Sequence, residues 1–231
     1  VLGKEGKELP PLDIEVKRDP IPACVASDEF HRAEGEPPLP LQWQWNHAPD
    51  NANWSLTARP GWLRLTTSRT DADILSARNT LGQRTFGPRS SASIALDIRN
   101  MKPGDVAGLC AFQKFYSYVA VKKTERGAEY VMIRHEAEEP LQVEALPCPG
   151  ELVHLKVECD FRKHPNLATF FYSSDGSDWK PIGKPAQMHY TLPHFMGYRF
   201  AIFNFATETP GGFVDVDYFR VGIPEETEAA P

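Results

Sequence analysis

The sequence predicts an all-β protein, a two-sheet antiparallel β-sandwich of the jelly-roll type. Three observations carry that expectation. Short runs that alternate apolar and polar residues recur from Leu41 to Val221, each bounded by turn residues. No window shows a convincing helical period; Thr70 to Arg78 comes nearest and is short enough to read as a loop. Four of the five tryptophans (Trp43, Trp45, Trp54 and Trp62) crowd into Leu41 to Thr67, where turns separate three strand-like runs.

Taken in order, Val1 to Pro40 reads as a tether. LPPLDIEVKRDPIPA and EGEPPLP are rich in proline and charge, which favours extended, poorly packed backbone. Val1 in place of Met reads as the start of an excised or processed fragment, so this end carries no cellular address. Ser27 to Phe30 is a short first strand anchored by Phe30. The domain reading is a linker over 1–26, one sandwich over 27–222 and a solvated tail over 223–231.

The strand candidates follow. Leu41–Asn46 places Trp43 and Trp45 on one face and Gln42, Gln44 and Asn46 on the other. Trp54–Thr57, Trp62–Thr67, Gln83–Phe86, Ala92–Ile98, Val106–Gln113, Tyr116–Lys122 and Glu129–Arg134 come next. Leu141–Ala145, Leu152–Asp160, Leu167–Ser173, Trp179–Ile182, Arg199–Ala206 and Gly212–Val221 complete the set. Lys102-Pro103-Gly104-Asp105, Arg126-Gly127, Pro149-Gly150 and Thr209-Pro210-Gly211-Gly212 punctuate them as turns. Asp175-Gly176 between two runs is a hairpin signal, with Trp179 expected to cover the hairpin.

Composition narrows the function. A 231-residue chain with 41 % hydrophobic residues can bury a sizeable core. Its net charge of −6 argues against a nucleic-acid partner, and no apolar run approaches the ~20 residues that span a bilayer. Cys24, Cys110, Cys148 and Cys159 form no C-x-x-C pair, which disfavours zinc; Cys110 and Cys159 lie in apolar runs and read as small buried residues.

A glycosidase on this fold needs two carboxylates flanking the scissile bond. Glu136, Glu138 and Glu139 lack a suitable spacing and end in Pro140, like a hairpin tip. Asp215 and Asp217 alternate correctly but have no third acid. The histidines are scattered, and no glycine-rich loop opens a helix, so a catalytic metal and a nucleotide are both disfavoured. No cofactor is required. Asp28 or Glu29 near the start and Asp217 near the end could share a structural calcium. A solvated charge pair at the sandwich rim is the preferred reading of those three.

The polar face is where function is expected. Amides both donate and accept, which suits hydroxyl-rich ligands. Gln44, Asn46, Gln83, Arg84, Gln113 and Asn204 are candidate hydrogen-bonders, and Trp45 or Tyr116 is a candidate platform for a pyranose ring. The expectation is that these side chains, from strands distant in sequence, converge on one cleft. Amides tied up in the interior would remove that argument while leaving the fold intact.

An ordered set of motifs carries a family resemblance: SDEF, LPLQWQWNHAPDNANWSLTARPGWLRL, QRTFGP, DVAGLCAFQKFYSYVAVKK and GGFVDVDYFRV. It resembles the C-terminal concanavalin A-like β-sandwich of family 43 glycoside hydrolases, the β-xylosidases and α-L-arabinofuranosidases. That module is also classed as carbohydrate-binding module family 91. The resemblance implies a catalytic five-bladed propeller as partner in the parent chain, carrying the catalytic acids, and xylan or arabinoxylan as ligand. It also implies a sandwich loop that closes the active site with a phenylalanine, for which Phe195 is the positional match. IFNFATETPGG stands where the xylosidases have an amide–acid pair, which leaves both parent activities open.

Overall fold

The computed structural model describes residues 23–136, 140–162, 164–192 and 196–224. Among the described residues there are fifteen strands: β1 (Gln44–Trp45), β2 (Trp54–Ser55), β3 (Leu63–Thr66), β4 (Leu81–Arg84), β5 (Arg89–Asp97), β6 (Asp105–Phe112), β7 (Tyr116–Thr124) and β8 (Gly127–His135). They continue with β9 (Leu141–Pro147), β10 (Leu152–Asp160), β11 (Leu167–Ser173), β12 (Lys180–Pro181), β13 (Ala186–Gln187), β14 (Arg199–Ala206) and β15 (Phe213–Gly222). No helix occurs among the described residues, and 70–79 is a loop of turns and bends tied at Thr70 by a single bridge to Ala206.

One sheet runs β1-β4-β14-β6-β7-β8-β9. The other runs β12-β11-β10-β5-β15-β3-β2, with β13 also paired to β11. Every pairing of these strands is antiparallel, as the two-sheet sandwich reading expects.

The main core lies between the sheets. Leu81, Leu109, Val119, Val121, Phe200 and Ile202 of the first sheet join Leu65, Ile94, Leu96, Leu155, Val157, Phe170 and Val216 of the second in one cluster. β10 shows the physics plainly. Val153, Leu155, Val157 and Cys159 are buried, while His154, Lys156, Glu158 and Asp160 keep access to solvent, because successive side chains leave a strand on opposite faces. The seven-stranded sheet differs. Its outer face carries a second cluster, in which Ile74 and Ala77 of the 70–79 loop join Val106, Cys110, Tyr118, Phe203 and Phe205. β6 is therefore buried along its whole length.

Several expected strands are shorter than their patterns, Trp54–Thr57 and Trp179–Ile182 by half, and the two earliest for visible reasons. Leu41–Asn46 pairs only at Gln44–Trp45, because the Trp43 N–H turns back to the Pro40 carbonyl at 3.0 Å. Trp43 and Trp45 nevertheless share a side, both packing on the main core. Ser27–Phe30 makes a single bridge, Asp28 to Phe219, so the first segment does lie beside the last strand. Asp28 anchors it. Its carboxylate accepts from Phe30 N–H (2.8 Å), Trp43 Nε1 (2.8 Å) and both terminal nitrogens of Arg32 (2.8 and 2.6 Å). Phe30, wholly buried, holds φ at 54°, a left-handed conformation rare outside glycine.

The Asp175-Gly176 signal holds. β11 pairs with β12, Gly176 sits at φ 77°, and the Asp175 carboxylate accepts from Ser177 and Asp178 N–H. Trp179 lies under the Lys156 ammonium, 4.9 Å from the ring centroid. All four cysteines are free; Cys110, Cys148 and Cys159 are buried and Cys24 is exposed.

Candidate functional site

Cross-strand register decides which side chains share a face, because directly opposed residues in an antiparallel pair point the same way. Gln44, Gly82, Ala201, Cys110 and Tyr118 are opposed in one continuous row. Ala201, Cys110 and Tyr118 belong to the outer cluster, so Gln44 also faces outward. A parallel row runs Arg84, Arg199, Phe112, and it faces outward for the same reason.

Between these rows the outer face opens into a cleft of about 490 Å³ lined by Gln44, Trp45, Asn46, Thr80, Gly82, Phe112, Met196, Arg199 and Ala201. Its floor is low because Gly82 and Ala201 carry almost no side chain. A Cβ on Gly82 would sit 2.9 Å from the Phe200 carbonyl oxygen, so glycine also permits this close strand approach. A second hollow of about 300 Å³ adjoins it, lined by Cys24, Leu41, Gln42, Gln44 and Arg84, with Gln44 common to both. Gln44, Trp45, Asn46 and Arg84 are thus brought together. The Trp45 ring leans on Trp54, 5.2 Å between centroids.

The other candidates are not ligand-facing. Gln83 is opposed to Phe200, itself opposed to Ala111, so it points into the sandwich, where it is 1 % exposed and clamps both the N–H and the carbonyl of Ala26 at 2.9 Å. Asn204 is opposed to Ala107 on the same inner side; its Nδ2 donates to the Leu65 carbonyl across the sandwich at 2.9 Å. Asn204 Oδ1 is buried without a partner among the described residues. Gln113, wholly buried at the end of β6, accepts from Thr191 Oγ1 (2.9 Å) and Lys114 N–H (2.8 Å) and donates weakly to the Met196 carbonyl (3.5 Å). Tyr116 shares the outer face but is 2 % exposed, stacked on Tyr118 and against His135, so no sugar reaches its ring. The convergence of amides therefore fails for Gln83, Gln113 and Asn204: each satisfies backbone groups in the interior. Phe195, the proposed pocket-closing residue, lies outside the described residues, as do Glu138 and Glu139.

The carboxylates form structural pairs. Asp215 receives Arg64 at 2.7 Å and Arg59 at 3.3 Å, and Asp97, opposite it, receives Arg59 and Arg99. Hydrogen bonds from Arg99, then Arg59, outweigh burial and hold the Asp97 carboxyl down at about 2. Glu29 pairs with Arg220 at 2.8 Å, and Asp28 is saturated by Arg32, Trp43 and Phe30. Asp28, Glu29 and Asp217 are not gathered as a cation site: among the described residues no group of three His, Cys, Asp or Glu side chains could hold a metal.

Sequence reasoning missed Arg199, Gly82, Thr80 and Phe112. One signal was present. Strand alternation puts Arg199 and Asn204 on opposite faces of RFAIFNFA, so the two could not serve one cleft.

Comparison with known proteins places this geometry in a family. The family model for the β-xylosidase C-terminal concanavalin A-like domain matches residues 27–222. A β-xylosidase of Formosa agariphila is 29 % identical over 221 residues, covering 87 % of this chain and 35 % of the relative. Among solved structures, a bifunctional GH43-CE protein of Bacteroides eggerthii superposes with a TM-score of 0.84 at 50 % identity, over 91 % of this chain and 29 % of that one. A GH43 glycoside hydrolase engineered for both endo-xylanase and exo-arabinofuranosidase activity gives 0.79 at 28 % identity, over 97 % and 46 %. The chain thus spans about a third of the length of that β-xylosidase. It belongs to the β-xylosidase C-terminal concanavalin A-like domain family, a module of family 43 glycoside hydrolases.

Proposed function

We propose that this chain is a non-catalytic accessory module of a hemicellulose-degrading glycoside hydrolase. It handles xylan or arabinoxylan chains in the outer-face cleft and shapes the neighbouring catalytic pocket of a family 43 propeller. The observation that carries this reading is the cleft itself, lined by Gln44, Asn46 and Trp45 together with the small Gly82 and Ala201. Amides meet sugar hydroxyls as both donors and acceptors, and an indole supplies apolar contact. Affinity is modest, because each hydrogen bond exchanged with water gains only about 0.5–1.5 kcal/mol. Calorimetry with xylo-oligosaccharides tests it: millimolar or tighter binding that Gln44→Ala and Asn46→Ala each weaken supports the reading, and no heat with any xylo-oligosaccharide refutes it.

A second reading has its own observation. Gln113 ties Thr191 and Met196 to the sheet, on either side of the position matched to the pocket-closing phenylalanine. A module built to present that segment would dock the propeller without binding free sugar. Loss of parent-enzyme activity in a Gln113→Ala variant, together with no sugar binding by the isolated chain, favours docking. An autonomous glycosidase has less support, since Asp215 is held by two arginines. Release of reducing sugar by this chain, abolished by a carboxylate variant, would establish one.

A further inference from the structure

We infer that the cleft takes an acidic sugar, with Arg199 and Arg84 receiving the carboxylate of a uronic-acid substituent on a xylan-type backbone. The inference rests on the sugar-handling reading above and adds the substrate class.

The two arginines are directly opposed across β4 and β14 and point to the same outer face. Opposed residues stand ~4.5–5.5 Å apart at Cβ, and like charges there are mutually destabilising. Neither guanidinium has a hydrogen-bond or ion-pair partner among the described residues. Most other half-buried arginines are neutralised: Arg32, Arg59, Arg64, Arg89 and Arg134 each lie within 3.8 Å of a carboxylate, and Arg78 donates to the Ala48 carbonyl, whereas Arg199 is half-buried with neither and Arg84 opposite it is exposed. Burial, and then the charge of Arg84, press Arg199 below its ordinary pKa, yet a guanidinium stays protonated at neutral pH. A fold that pairs most of its half-buried arginines leaves Arg199 without an anion in the cleft lining, with the exposed Arg84 opposed to it and lining the adjoining hollow.

The missing anion fits a carboxylate. Guanidinium groups bind carboxylates through parallel charge-assisted hydrogen bonds, and two opposed forks can share one carboxylate. The rest of the lining sets the amides of Gln44 and Asn46 beside the apolar Trp45, Phe112 and Met196, which suits the hydroxylated, ring-shaped remainder of a sugar acid. The chain's net charge of −6 repels polyanions at long range, so the acid would arrive as an isolated substituent on a neutral backbone.

Calorimetry on the whole chain tests this with two probes of equal length: a xylo-oligosaccharide bearing one glucuronic acid and its unsubstituted counterpart. The acidic probe should bind about tenfold tighter at low salt, with a preference that shrinks as salt rises. Arg199→Gln, and separately the solvent-exposed Arg84→Gln, should bring the ratio of affinities toward one; thermal melts confirm that each variant is folded. Equal binding of both probes by the wild type, or a preference that survives both substitutions, overturns the acidic-sugar assignment and leaves neutral xylan handling standing. Binding of the acidic probe alone supports the assignment and removes the neutral-backbone reading. Binding of neither probe, with Arg199→Gln lowering activity of the full-length parent, overturns it in favour of a protein carboxylate on the adjoining domain.

Discussion

Asp28→Ala tests whether the segment before the first strand is tied to the fold through this carboxylate. Asp28 accepts from the Trp43 indole and the Phe30 N–H, and both donors belong to buried residues. Removing the acceptor leaves two buried N–H groups without partners, each at a cost of about 1–3 kcal/mol. Arg32 contributes less to the loss: it is partly exposed and keeps the carbonyls of Pro38 and His31 as acceptors at 2.8 Å. A total of about 4 kcal/mol, the middle of the range for two groups, follows, and at about 2–4 °C per kcal/mol for a chain of this size the melting midpoint should fall by about 8–16 °C. Urea unfolding followed by tryptophan fluorescence reads the same change, with Trp43 inside the knot. Adding Arg32→Leu to Asp28→Ala separates two causes: no recovery is expected if orphaned N–H groups dominate, whereas full recovery would assign the loss to a stranded charge. A melt for Asp28→Ala within a degree of wild type would refute the whole account.

Four further outcomes follow from the same geometry. Calcium or a chelator should leave the melting midpoint unchanged, because arginines already occupy Asp28 and Glu29; a rise of several degrees on adding calcium would restore the cation reading. Stability should fall as pH drops from about 4 to about 2, because Asp97 is held near 2 when folded and titrates near 3.9 when unfolded. A folded pKa below the unfolded one contributes stability above the unfolded value and loses it as pH falls through the folded one, so the wild-type advantage over Asp97→Asn should vanish across that window. Gly108→Ala should abolish soluble expression or cost more than about 3 kcal/mol, since its Cβ would lie 2.2 Å from the Val119 carbonyl oxygen inside a sheet. Gln113→Ala should cost about 1–3 kcal/mol and speed proteolytic cleavage near 190–197, read by timed digestion and mass spectrometry.

The strand pattern was legible because most of it is a half-buried pattern. In LVHLKVECD, one side is apolar and the other charged, so alternation alone orients the strand. In RFAIFNFA that signal disappears. Phe200 and Ile202 feed the main core while Phe203 and Phe205 feed the outer cluster, so both sides read as apolar and Asn204 gives no hint of its direction. The inference that a lone amide on such a strand must face a cleft overlooked the other remedy for a buried polar group, a backbone carbonyl across the sandwich. Gln83 misled in the same way, because its partner, Ala26, lies in a segment whose sequence reads as tether.

The cleft was only partly legible, for a reason that lies between strands. Gln44 and Asn46 could be read from their own alternation. Arg84 and Arg199 are neighbours only through the register of β4 on β14, which no local pattern encodes. Gly82 helps hold that register: its missing side chain lets the Phe200 carbonyl approach, and it leaves the floor between Gln44 and Ala201 open. A one-residue slip would exchange Gly82 and Arg84 for Leu81 and Gln83 on the outer face. The cleft would then fill with leucine, and both arginines would no longer stand opposed. The site's shape and its charge therefore depend on one alignment. A substitution that disturbs it should cost sugar binding and acidic preference together, whereas Arg84→Gln should cost only the preference.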